Sequence, residues 1–173
     1  MNKSLLLIAV LFSTLFFFPS CTKPIEEADD KMIEENKKKS EDFQAIINAH
    51  RFRLVDFYSD KPIDYIETDA EVKQETNLRA YIKPYLLDDE NVFGAEENLS
   101  IVQNQQKMPG VSDDIVRRSY RLSYDKSNVL LDFVTYTYAP AKYKVSEFSP
   151  NGFVIYLDWP TGAKVFSRFE TIK

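Results

Sequence analysis

The chain has 173 residues, a formal net charge of -5, one cysteine, one histidine and one tryptophan. That length holds one domain of ordinary size, and a 44% hydrophobic, 28% charged composition is that of a globular protein, not a disordered or fibrous one. The lone cysteine excludes an intrachain disulfide and a cysteine-built zinc cluster, and the acidic balance argues against a nucleic-acid partner, whose phosphates need clustered Lys and Arg.

Met1-Asn2-Lys3 supplies an early positive charge, and Leu5 to Phe18 is apolar apart from Ser13 and Thr14. Such a run reaches about 21 Å as a helix, short of a hydrocarbon core roughly 30 Å thick, which suits the apolar region of a signal peptide. It ends at Pro19-Ser20-Cys21. This pattern resembles a bacterial lipoprotein signal. The resemblance implies that residues 1–20 are removed, that Cys21 is diacylated and its new N-terminus acylated, and that Cys21 then anchors the chain in a membrane of the cell envelope. Buried acyl methylenes contribute about 0.8 kcal/mol each, so several chains make attachment effectively permanent. An ordinary cleaved signal peptide, with a cysteine just past the cut by chance, is the alternative.

Residues 22–42 carry eight acidic and five basic side chains, with Ile25, Met32 and Ile33 almost the only apolar ones. A segment this polar buries too little to offset its ordering entropy and reads as a tether or a frayed helix. Its Glu26-Glu27-Ala28-Asp29-Asp30 stretch is similar to the acidic signal for surface export of lipoproteins in some Bacteroidetes-like bacteria; plain solubility of a linker is the other reading. Ser40 has the chemistry of an N-cap ahead of Glu41 and Asp42, and Phe43, Ile46 and Ile47 follow at helical spacing, predicting a short helix over 41–49. Phe52 to Tyr58 is a strand candidate. Thr68 and Glu71 stand at capping-box spacing and predict a second helix over 69–82. Two short strands, Asn91–Phe93 and Leu99–Gln103, flank an Ala95-Glu96-Glu97-Asn98 turn.

From residue 115 the rhythm becomes period two. Val116, Arg118, Tyr120, Leu122 and Tyr124 share one face; Val129, Leu131 and Phe133 alternate along a return strand after Asp125-Lys126-Ser127. Tyr143 to Phe148 makes a shorter strand. Pro150-Asn151-Gly152 and Pro160-Thr161-Gly162 place Pro and Gly where tight turns want them, and bracket the alternating Phe153, Ile155, Leu157 and Trp159. Val165 to Ile172 completes about eight antiparallel strands, the signature of an all-β barrel or sandwich. An exposed edge on so Tyr- and Val-rich a meander would invite self-pairing, so pairing the first strand with the last is expected.

Asp88-Asp89-Glu90-Asn91-Val92-Phe93 and the terminal meander with Ser149-Pro150-Asn151-Gly152 resemble the small lipocalin-like lipoproteins of Bacteroidetes-type bacteria, over about residues 51–172. The resemblance implies an eight-stranded up-and-down barrel, here 43–173 with one or two short helices, whose mouth holds a small apolar or amphipathic ligand.

The residues offer no catalytic signature. His50 is the only histidine, so a His-based triad or multi-His metal site lacks its partners, and there is no phosphate loop, GxSxG or HExxH. The chain is read as a non-enzyme needing no cofactor or metal. Asp88-Asp89-Glu90 and Asp113-Asp114 are adjacent carboxylates, which point to opposite faces of a strand and so miss the geometry of glycoside cleavage; Asp88, Asp89 and Asn91 lack a calcium-loop pattern. Solvated turns are the expected reading. Arg117 and Arg121 share a face and suit either an anionic headgroup or open water. Tyr120, Tyr124, Tyr136, Tyr138, Tyr143 and Tyr156 would line a cavity, present a partner surface, or simply pair across strands. The leading expectation is a ligand-binding barrel lined by Leu131, Phe133, Phe153, Leu157 and Trp159; the other is a solid barrel docked on an envelope protein partner.

Overall fold

A computed structural model describes residues 23–66, 72–134 and 140–173. The leader, Cys21, Tyr136 and Tyr138 lie outside the described residues. The elements are α1 (Lys23–Ala49), β1 (Phe52–Ile66), β2 (Val72–Asn77), a 3-10 turn (Arg79–Tyr81), α2 (Pro84–Asp88), β3 (Glu90–Phe93), β4 (Asn98–Val102), β5 (Ile115–Tyr124), β6 (Val129–Val134), β7 (Pro140–Ser149), β8 (Gly152–Asp158) and β9 (Lys164–Thr171).

All neighbouring strands pair antiparallel, in the order β2-β1-β3-β4-β5-β6-β7-β8-β9, and β1 also pairs with β9. Phe52 faces Asn91 of β3 on one side and Thr171 of β9 on the other, so β1 and β3 to β9 form a ring of eight. The fold is an all-β, up-and-down antiparallel barrel, closed between first and last strands as expected. The ninth strand, β2, lies outside the ring and pairs with the overhanging half of β1, Ile63 opposite Glu75.

Two bulges fit the strands to the curve. The register of β1 against β9 shifts between Leu54 and Asp56. Beyond it Phe57 packs on the core, while Tyr58 stacks on Phe166 with ring centroids 5.1 Å apart. In β7 the shift lies between Val145 and Glu147, which brings Phe148 to the core beside Phe43.

The short helix expected over 41–49 is the last third of a 27-residue helix. At 1.5 Å per residue α1 is about 40 Å long. Ser40 does not cap it: Ser40 is buried in mid-helix, on one stripe with Asn36, Phe43 and Ile47. That 36-40-43-47 spacing covers one end of the barrel, where Phe43 meets the Phe148 and Phe153 rings at 5.4 Å each. The charged 22–42 segment is therefore helical from Lys23 onward, its stability supplied by docking rather than by its own apolar content.

The helix expected over 69–82 is not formed. Among its described residues, 72–77 are strand β2 and 79–81 a single 3-10 turn. The long overhang of β1 offers an unpaired backbone edge, and pairing with it outweighs the weak helical preference of a segment with so thin an apolar stripe. Leu78, buried, anchors its return through an N–H donated to Phe57 O at 3.0 Å.

Gly152 is required where the β7–β8 turn closes. Its φ is +151°, and a Cβ there would stand 2.2 Å from the carbonyl oxygen of Phe169.

Candidate functional site

The two ends of the barrel are built differently. At the α1 end, aromatic rings fill the interior. Phe153 stacks on Phe169 at 4.7 Å and meets Phe52 edge-on at 4.9 Å; Phe93 touches Phe52, Phe133 and Tyr120. A polar pin locks the helix to this core. Gln44 Nε2 donates to the Tyr120 hydroxyl at 2.6 Å, and that hydroxyl's proton serves Asn48 Oδ1 (3.1 Å) or Gly94 O (3.0 Å). Tyr120 is 3% exposed, so these partners keep a buried hydroxyl satisfied.

Three of the five expected lining residues are interior: Leu131 and Phe153 in the packed core, and Phe133 at its border. Leu157 is half-buried against the core. Trp159 is not enclosed. It is 38% exposed, because β8 ends at Asp158 and the β8–β9 turn, held by Trp159 N–H to Ala163 O at 2.8 Å, carries it past the barrel. The alternation of 153, 155, 157 and 159 is real, but the strand stops before its last member.

A cleft of about 510 Å³ opens in the wall instead. β5 pairs with β6 from Tyr120, opposite Phe133, up to the Tyr124–Val129 pair, and its first half, Ile115–Ser119, pairs with β4. In this wall Tyr120, Phe133 and Ala141 form an apolar floor. Arg121, Lys142, Glu97 and Asp132 stand round it as paired charges, Arg121 Nε to Glu97 Oε1 at 3.8 Å and Lys142 Nζ to Asp132 Oδ2 at 4.0 Å. Exposed pairs like these contribute little to stability, about 0–1 kcal/mol, and leave both signs free to meet a ligand's polar end.

The rim is strained. Glu96 and Glu97 both have φ of 58°, a left-handed conformation unusual for two consecutive non-glycine residues. They are the centre of the expected Ala95–Asn98 turn, closed by Asn98 N–H to Ala95 O at 3.3 Å, and Glu97 O accepts the Tyr120 N–H at 2.9 Å. Strain of this kind costs about 1–3 kcal/mol per residue and clusters at ligand clamps. Of the cleft residues, Phe133, Arg121 and Tyr120 were visible in the alternation. Lys142, Asp132 and Ala141 were not singled out; their contribution depends on the register of β7 against β6, which no local pattern encodes.

The other sequence candidates separate. Arg117 and Arg121 do share the outer face, but Arg121 turns to Glu97. His50 stands between α1 and β1 with its ring 6.3 Å from that of Phe52. Tyr143 is core, Tyr124 is exposed, and Tyr156 packs on the outer face with Phe166 and with Lys164 Nζ 4.8 Å from its ring centre. The acidic turn at 88–90 is not solvated throughout. Asp89 is 2% exposed, and burial, then the neighbouring Asp88 charge, push its carboxyl up to about 7.

Among the described residues no group of three or more His, Cys, Asp or Glu side chains is placed to hold a metal ion. Nor is any helix among them long and apolar enough to cross a membrane. The chain matches no protein-family model and no curated protein.

Proposed function

We propose that this is a lipid-anchored cell-envelope lipoprotein whose lipocalin-like barrel binds a small apolar or amphipathic ligand in the wall cleft between β5 and β6–β7. The observation that carries this reading is the cleft itself. Its volume of about 510 Å³ falls in the range of small-molecule sites, roughly 300–1,000 Å³, and it combines an apolar floor with a few convergent polar groups. The ligand's apolar body would lie on Tyr120, Phe133 and Ala141, and its polar end would exchange with the Arg121–Glu97 and Lys142–Asp132 pairs. With Cys21 acylated, α1 would start two residues from the anchor and, contacting the barrel from Asp29 to Ile47, hold the barrel close to the membrane.

Organic extracts of the full chain purified from membranes, read by mass spectrometry, are expected to contain one recurrent amphiphile. Ala141→Trp fills the cleft floor and should remove it. Its absence from repeated wild-type preparations would contradict ligand binding. For the anchor, Cys21→Ser is expected to move the protein to the soluble fraction, and retention in the membrane would refute acylation.

A second reading is favoured by the ring-packed core at the α1 end: a solid barrel serving as an accessory subunit of an envelope assembly. It predicts a stoichiometric protein partner and no amphiphile in the same preparations.

A further inference from the structure

Asp89 is the one residue among those described whose carboxyl has both oxygens buried and without a hydrogen-bond partner. It joins α2 to β3 at the barrel end opposite α1, on the same strand parity as the inward Asn91 and Phe93. The chain on either side is tied down. Asn104 Nδ2 donates to Asp88 O at 2.7 Å and the Gln106 N–H to Asp88 Oδ2 at 2.9 Å, while Leu86 and Leu87 of α2 pack on the core. After it, Glu90 faces Arg51 at 3.4 Å and Arg53 at 4.0 Å.

The charges around it are committed elsewhere. From β1, Arg51 points to Glu90, as does one terminal nitrogen of Arg53 at 4.0 Å, while Arg53 Nε is buried without a partner; from the loop after β4, Lys107 is held by Asp114. Asp88 adds a like charge. A buried carboxylate with no cation and no donor is costly to keep, whereas the neutral acid is tolerated. Releasing α2 breaks the two Asp88 hydrogen bonds, but little else in the element resists. It is five residues long, has no side-chain cap, and its two leucines are only partly buried.

We propose that Asp89 is a proton-operated latch: as the neutral acid it stays beneath α2, and when its proton passes to solvent water the carboxylate drives α2 off the barrel end. This does not depend on the ligand reading. An open form with an ordinary carboxyl and a closed form titrating near 7 make opening tenfold more favourable per pH unit between about 4 and 7, with no further gain above that.

Amide exchange of the full chain, followed by mass spectrometry on the peptide covering 83–91, reads this opening. Low urea separates it from global unfolding, which alone is urea-sensitive. After correction for intrinsic rates, exchange in this peptide should quicken about 50-fold from pH 5 to pH 7 without responding to urea, and Asp89→Asn should flatten the pH dependence. Urea-sensitive exchange at both pH values, or an unchanged pH response in Asp89→Asn, would overturn the latch. Should that variant fail to fold, the carboxyl carbon shift of Asp89 in the wild type decides: a midpoint near 7 supports the proposal and one near 4 overturns it.

Discussion

The α1 end and the opposite end of this barrel share strands but not construction. At the first, a helix stripe of Asn36, Ser40, Phe43 and Ile47 closes over interlocked phenylalanines, and every strand turn is short. At the second, β1 overruns its neighbours to pair with β2, a five-residue helix leads into β3, and a buried acid lacks partners. The α1 end holds the packed rings, with the strained Glu96–Glu97 turn beside the helix pin, while the other end holds the exposed edge of β1 and the buried acid. The movable elements belong to the second end, since parts of a fold that open come from its least stable regions, whereas the wall cleft borders the packed core through Tyr120 and Phe133.

The comparison breaks most directly on matched truncations. Phe153→Ala should cost about 3–5 kcal/mol in urea unfolding, because it removes a ring wedged between Phe43, Phe52 and Phe169. Leu157→Ala on the same strand, half-buried toward the other end, should cost about 1–2 kcal/mol. Equal costs would erase the asymmetry.

Next comes pH. The carboxyl of Asp89 is raised from 3.8 to about 7, so the native chain keeps a proton that the unfolded chain releases across that window. Its contribution is therefore fully present below about pH 4 and is lost as pH rises toward 7, a span of about 4 kcal/mol. Stability measured from pH 4 to 7 should fall more steeply in the wild type than in Asp89→Asn by about that amount.

Smaller effects sharpen the picture. Tyr120→Phe removes the hydroxyl shared by Gln44, Asn48 and Gly94 O, while Gln44 and Asn48 keep their own bond at 2.9 Å, and should cost about 0.5–1.5 kcal/mol in thermal or urea unfolding. Glu97→Gly relieves a left-handed residue and should stabilise by about 1 kcal/mol, while removing the Arg121 partner at the cleft rim. A gain in melting temperature with weaker ligand retention would show strain held for binding.

Much of the barrel was readable from alternation. β5, β6, β8 and β9 announce themselves by period two, and the Pro-Asn-Gly and Pro-Thr-Gly turns punctuate them. Closure followed from the cost of a free edge. What stayed hidden depends on tertiary supply: α1 extends to Lys23 because Asn36 and Ser40 find a surface to dock on, and 72–77 becomes a strand because β1 runs on past Ser59. The bulges in β1 and β7 shift which face is inward without any local signal. For the cleft, Tyr120, Arg121 and Phe133 were legible as strand positions, yet their meeting with Ala141, Lys142 and the Glu97 turn is a matter of register between separate hairpins.

The central claim is that the barrel binds on the outer wall at the β5–β7 cleft and not within its ring-packed interior. Titrating the isotope-labelled chain with the apolar dye N-phenyl-1-naphthylamine and following backbone amide shifts tests it directly. Saturable shifts at Ser119, Arg121 and Lys142, with Phe43, Phe153 and Phe169 unmoved, are the predicted result; no saturable binding, or shifts centred on Phe43, Phe153 and Phe169, would contradict it.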